Sequence, residues 1–297
     1  MIDQVDFLMF TGSSETGRIV GEQCARRLIG FSAELGGKNP MLVLADCDLD
    51  RTVEAAWRAC FANSGQLCVG TERMFVEAAV YGRFVPAFVE RVGAMRLGAG
   101  LDWDVEMGSL ISQAQLARVE RYVEDAVAKG ARVLTGGRPR PDLGPLFFEP
   151  TVIEGVDEAM AVMHEETFGP VVAVHRVRDA GEAVARANAS AYGLNASIWG
   201  SRRRAAALAA RLQAGTVNVN AGYVSAWGSH DAPMGGMKDS GLGRRHGAQG
   251  ISKYCEPQTV AVQRLVPIEP FAGLSSAQYA RAITSAVKLL RRWPGIE

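Results

Sequence analysis

Short β-branched runs alternate with amphipathic stretches along most of the chain, and few folds satisfy that rhythm. Residues 41–45, 73–76, 131–134, 171–177, 195–199 and 216–220 read as strands. The stretches 49–62, 81–95, 112–129, 182–189 and 202–212 read as helices. Strands separated by helices pair in parallel, with the helices covering both faces of the sheet, so the pattern predicts an α/β fold. The helix over 112–129 enters at a Ser cap and leaves at Gly130. The Pro- and Gly-rich stretch 136–144 reads as a surface loop.

Near the start, residues 5–10 read as a buried strand, Gly12 and Ser13 as a turn, and 14–28 as a helix stopped at Gly30. A strand, a glycine turn and a helix N-terminus together form an anion site, since unpaired N–H groups and the positive end of the helix dipole meet there. Gly12, Ser13 and Gly17 are therefore candidate phosphate contacts, although an ordinary capped turn has the same local sequence. At the other end, residues 258–265 alternate apolar and polar as an edge strand would. Residues 275–293 read as a docked tail helix with Tyr279, Ile283, Val287 and Leu290 on one face.

Composition excludes several classes. Lys plus Arg and Asp plus Glu number 32 each, so net charge favours neither nucleic acid nor an anionic membrane. The five cysteines are widely spaced and lack any Cys-x-x-Cys pair, which argues against a disulfide framework or a zinc site. The first residues include Asp3 and Asp6 and lack a basic segment, and no apolar run is long enough to span a bilayer. A cytoplasmic location is the expectation.

Chemistry concentrates at two glycine-rich turns. Cys68 ends Phe61-Ala-Asn-Ser-Gly-Gln-Leu-Cys68, and Glu34 opens Glu34-Leu-Gly-Gly-Lys-Asn-Pro40. A thiol that attacks a carbonyl and a carboxylate that activates the water releasing the acyl group would make a covalent catalyst. Taken alone the pair says little, because a cysteine at a helix end is ordinarily a small buried hydrophobe.

Four further segments change the reading: Phe10-Thr-Gly-Ser-Ser-Glu-Thr-Gly17, Glu165-Glu-Thr-Phe-Gly-Pro170, Gly215-Thr-Val-Asn-Val-Asn220 and Pro233-Met-Gly-Gly-Met-Lys-Asp-Ser-Gly-Leu-Gly-Arg244. In this order, and with this spacing of Glu34 and Cys68, they resemble the aldehyde dehydrogenase superfamily from about residue 7 to residue 265. The resemblance implies Cys68 as nucleophile and Glu34 as the base for thioester hydrolysis, with NADP or NAD as coenzyme. It places Gly12, Ser13, Gly17, Leu35, Glu166 and Phe168 around the coenzyme, and Lys38 as a structural ion-pair partner. It also implies a coenzyme-domain remnant over 1–37, comprising that domain's last strand and helix, and a catalytic domain with a parallel sheet over 38–255. An arm strand over 256–266 would pair with a second subunit in a homo-oligomer, dimer or tetramer, and 267–297 form a tail. Family members carry further coenzyme-binding sheet ahead of the point matched by Met1, so a fragment that cannot hold coenzyme is the alternative expectation.

Within the family the late glycine loop and the segment after it look like NADP-linked, actinobacterial succinate-semialdehyde dehydrogenases. Many such enzymes carry an arginine six residues before the nucleophile, where it can grip the substrate carboxylate. Here that position is Ala62. Arg73 or a group on the loop holding Tyr223, Trp227 and His230 is the candidate replacement, and that loop equally suits an apolar or aromatic aldehyde.

Overall fold

The computed structural model describes residues 2–100, 103–264, 269–271 and 273–291. The chain divides into two compact units, Met1–Tyr254 and Cys255–Glu297.

The first unit is built on two principal sheets. Strands β1 (Phe7–Thr11) and β2 (Gly30–Glu34) are parallel and joined by helix α1 (Ser14–Arg27). The larger sheet uses β3 (Asn39–Val43), β4 (Thr71–Glu77), β5 (Arg132–Thr135), β6 (Thr151–Glu154) and β7 (Val171–Val177). After the two-residue β8 (Tyr192–Gly193) come β9 (Asn195–Trp199) and β10 (Thr216–Val219), then β11 (Met237–Lys238) and β12 (Gly241–Leu242). The seven-stranded order is β10-β9-β3-β4-β7-β6-β5, parallel except for β5 against β6. β12 returns antiparallel onto β2, and β11 pairs with β8.

Helices on both faces explain why the central strands are continuously apolar. Met41 and Val43 of β3, with Met74 and Val76 of β4, pack under α2 (Leu49–Phe61) and α3 (Ala78–Gly93). Leu42, Leu44 and Phe75 point the other way, onto the helices Ala180–Asn188 and Arg202–Ala209. Helix α4 (Gln113–Ala128) covers β5 and β6, with Ser112 as its cap and Gly130 beyond its end at φ 104°.

Several expectations need correction. α1 stops at Leu28, not Gly30: Leu28 takes the left-handed conformation (φ 57°), and Leu28 N and Ile29 N close onto Ala25 O and Cys24 O. Gly30 instead opens β2, where a Cβ would lie 2.4 Å from the Phe7 ring. β2 and β6 were not foreseen. Residues 256–264 of the expected arm form no strand, since an edge strand needs a partner for its hydrogen bonds, and 265–266 lie outside the described residues. The tail helix forms over Ser276–Leu290 with a capping box at Ser275, while Trp293 lies outside the described residues. Of its expected docked face only Tyr279 is buried, edge-on to Phe271, while Val287 and Leu290 are exposed. Among the described residues, no helix is long and apolar enough to cross a membrane.

Candidate active site

Cys68 lies in a turn that the chain enters abruptly. After α2, Asn63 (φ 52°), Ser64 (φ 58°) and Gly65 (φ 71°) are consecutively left-handed. A Cβ at Gly65 would sit 2.1 Å from Gly169 O, so only glycine fits there. Ser64 Oγ donates to Gly108 O at 2.9 Å.

Three asparagines fix the turn from beneath. Asn39 Nδ2 donates to Cys68 O and Gly70 O, both at 2.8 Å, while its Oδ1 accepts from Asn195 N at 3.0 Å. Asn195 Nδ2 donates to Val69 O at 3.1 Å, and Asn218 Nδ2 donates to Asn195 Oδ1 at 2.9 Å. All three asparagines are buried, and each spends its amide holding backbone or the next asparagine. Nothing in the sequence pointed to this role: Asn39 and Asn218 fall in the motifs 34–40 and 215–220 without a function attached, and Asn195 falls in none.

Glu34 is the last residue of β2 and is 5 % exposed. β12 crosses it at Gly241, where a Cβ would approach Ala33 O to 2.1 Å, and a Cβ at Gly235 would lie 3.1 Å from Glu34 Oε1. Glu34 Oε1 is buried with no hydrogen-bond partner among the described residues. Burial pushes the carboxyl above the usual glutamate range, opposed by the positive charges of Arg245, Arg244 and Lys253. The result is a more basic carboxylate with an unsatisfied acceptor, the property a water-activating group requires.

Glu166 faces the same cavity. Its carboxyl is pushed up to about 7 by burial and by the nearby Glu72 charge, against the Gly37 amide, Arg118 and Lys38. Oε1 accepts from Gly37 N at 2.8 Å. The turn that carries it is pinned by Glu72, which accepts from Thr167 N (2.9 Å), Phe168 N (2.8 Å) and Lys38 Nζ (2.5 Å). Lys38 is thus a buried ion-pair partner, its ammonium pKa lowered by desolvation and sustained by Glu72. From α4, Gln115 Nε2 reaches Phe168 O at 2.7 Å and Arg118 reaches Glu166 O at 2.7 Å. Glu72, Gln115 and Arg118 escaped the sequence reading because their sites in helix and strand carry no local signature.

Gly12, Ser13, Glu34, Leu35, Cys68, Glu166 and Phe168 line one cavity of about 430 Å³. Gly17 lines a neighbouring one of about 440 Å³ with Leu35. The Cys68 thiol is raised above its ordinary range by burial, then by Glu166 and Glu34, while the amides of Cys68 and Val69 pull it down.

The substrate candidates separate. Arg73 is buried under the sheet, its guanidinium donating to Lys38 O (2.8 Å) and Ala187 O (3.1 Å), and it does not line the Cys68 cavity. Tyr223 lines a second cavity of about 620 Å³ with Ala62 and Asn63. Trp227 packs on Tyr223 at 5.9 Å, and His230 is exposed, 6.1 Å from the His246 ring.

A nucleophile turn, a buried partnerless carboxylate and a helix N-terminus around one cavity fit a nicotinamide coenzyme. Residues 2–260 match the model of the Aldehyde dehydrogenase family. The chain belongs to that family. Its match to aldehyde dehydrogenases extends to a Mycolicibacterium smegmatis protein provisionally named NADP(+)-dependent succinate-semialdehyde dehydrogenase, 53 % identical over 99 % of this chain and 57 % of that protein. A Mycobacterium tuberculosis protein provisionally named a second such enzyme is 51 % identical with the same coverages. The chain therefore spans a little over half the length of these relatives. Betaine aldehyde dehydrogenase of Staphylococcus aureus in complex with NAD+ superposes with a TM-score of 0.80 at 37 % identity, over 84 % of this chain and 50 % of that one. An E. coli NADP-dependent enzyme also gives 0.80, at 40 % identity over 85 % and 52 % of the two chains.

Proposed function

We propose that this chain carries the catalytic part of an NADP- or NAD-dependent oxidation of an aldehyde to a carboxylate, with succinate semialdehyde as substrate. The observation that carries the proposal is the one cavity lined by both Cys68 and Glu34, the latter with a buried oxygen that has no hydrogen-bond partner among the described residues. Cys68 Sγ adds to the carbonyl carbon; burial, Glu166 and Glu34 raise its thiol, and the amides of Cys68 and Val69 act against them. Bound coenzyme supplies the hydride acceptor. Gly12 and Ser13 at the start of α1 suit its phosphates, and Glu166 its nicotinamide ribose. Glu34 then takes a proton from water, whose oxygen attacks the Cys68 thioester and releases the acid. The names of the two mycobacterial relatives support succinate semialdehyde. The Tyr223 and Trp227 pair favours a second reading, an apolar or aromatic aldehyde.

Mixing the chain with succinate semialdehyde and NADP while following reduced nicotinamide tests the proposal. Turnover is expected, lost in Cys68→Ala and stalled with acyl group on Cys68 in Glu34→Gln. Unchanged turnover in either variant overturns the assigned roles.

A further inference from the structure

Arg73 is committed to the interior, where it donates to Lys38 O and Ala187 O, so the carboxylate of the proposed substrate needs another cation. Resting on the proposed substrate, we infer that Arg58 is the specificity-determining cation that binds the carboxylate end of the aldehyde.

Arg51, Ala55, Arg58 and Ala62 follow one another at three- and four-residue spacing along α2 and its cap, with Glu54 beside Ala55, so they form one stripe. All five line the cavity of about 620 Å³ that also contains Asn63 and Tyr223. That cavity adjoins the nucleophile turn. Asn63 belongs to it, Gln66 belongs to the Cys68 cavity, and the two residues hydrogen-bond each other, Asn63 Nδ2 to Gln66 O at 3.0 Å and Gln66 Nε2 to Asn63 O at 3.2 Å. Arg58 is one helical turn before Ala62 on the same stripe, facing the same space.

The charge balance there favours an anion. The cavity's two carboxylates are both engaged by Arg91: Nε to Glu54 Oε1 at 2.9 Å and Nη2 to Glu106 Oε1 at 2.6 Å. Glu54 also accepts from Trp57 Nε1 at 3.2 Å. Arg58 meets the Glu54 carboxylate only at 3.8 Å, its one close bond being to the Glu54 carbonyl at 2.9 Å. Its guanidinium lies 4.5 Å from the Trp57 ring centroid, against an apolar wall that leaves the N–H edge for an acceptor. A guanidinium held this way offers two parallel donors to a carboxylate, which a neutral aldehyde cannot use. Arg51, a further two turns back, adds positive charge to the same wall.

The test needs no coenzyme. An aldehyde protects Cys68 from iodoacetamide by reversible addition: Sγ bonds to the carbonyl carbon and the thiol proton ends on the oxygen. Half-protection is measured on the Cys68 peptide by mass spectrometry with succinate semialdehyde and with butanal. The unsubstituted chain should be protected by succinate semialdehyde at about two- to five-fold lower concentration than by butanal, the range of an ion pair to a guanidinium that is 61 % exposed. Arg58→Met should remove that preference and leave butanal unchanged, Arg58→Lys should keep part of it, and Ala62→Arg added to Arg58→Met should restore it. If the unsubstituted chain shows no preference, the substrate reading fails and the Arg58 assignment with it. If it shows the preference and Arg58→Met retains it, the Arg58 assignment alone fails.

Discussion

Removing the amide of Asn39 tests how the fold holds its nucleophile. Asn39→Ala leaves Cys68 O, Gly70 O and Asn195 N without the partner each now has at 2.8 to 3.0 Å, in a site where Asn39 is 2 % exposed. An unsatisfied buried polar group costs about 1–3 kcal/mol, so three of them predict a loss of roughly 3–9 kcal/mol, toward the lower end if water fills the gap. Urea unfolding measures the stability. Cys68 alkylation, followed under conditions where the variant remains folded, measures the second effect: release of the Cys68 carbonyl loosens the turn and changes the labelling rate. Asn218→Ala removes the bonds to Asn195 Oδ1 (2.9 Å) and from Ala226 N (3.1 Å), and should cost about 2 kcal/mol with a smaller effect on labelling, since neither bond is to the Cys68 turn itself. A drop below 1 kcal/mol in Asn39→Ala, with unaltered labelling, would refute the claim that this amide organises the site.

Other outcomes follow from the same geometry. Lys38→Met should destabilise by about 3–5 kcal/mol, because it strands the buried Glu72 carboxylate that pins the 166–168 turn; equilibrium unfolding decides it. Gly65→Ala should cost about 2–4 kcal/mol from its left-handed backbone and the approach to Gly169 O, and should slow acylation of Cys68 by an activated ester, whereas a wild-type rate would contradict the fit. Below about pH 4.5 Glu166 carries its proton in both folded and unfolded chains. Between there and about 7 only the folded chain keeps it, so its contribution to stability falls by about 3 kcal/mol as pH rises through that window. Glu166→Gln should flatten that part of the urea-midpoint profile, and an identical profile would argue against the shift. Because burial, Glu166 and Glu34 all raise the Cys68 thiol, its labelling should reach half-maximum at a higher pH than that of an ordinary exposed thiol, and Glu34→Gln should lower that midpoint.

Residues set in distinctive local motifs could be singled out before the structure. Cys68, Glu34 and Glu166 sit in glycine-bearing turns whose order along the chain is distinctive, and the helices around 49–62 and 112–129 announce themselves by period and cap. Residues that act across the fold were not. Asn39, Asn195 and Asn218 lie on three different strands, and nothing in any one segment shows that they share a hydrogen-bond chain. β2 was hidden because Gly30-Phe-Ser-Ala-Glu34 has no β-branched residue, its strand state being imposed by pairing with β1 and β12. The alternation over 258–264 shows the other side of the same dependence, since a segment expected to pair with a second subunit has no strand to pair with inside one chain. Arg73 looked like a substrate cation on charge alone. Its burial and its backbone carbonyl partners were invisible in the sequence.

The division of labour between Cys68 and Glu34 is tested most directly with p-nitrophenyl acetate, which acylates a nucleophilic thiol without coenzyme. Peptide mapping after mixing should find the acetyl group on Cys68, transient in the unsubstituted chain and persistent in Glu34→Gln. An acetyl group that falls instead on the exposed Cys255, or one that leaves Cys68 equally fast in both proteins, would contradict the account.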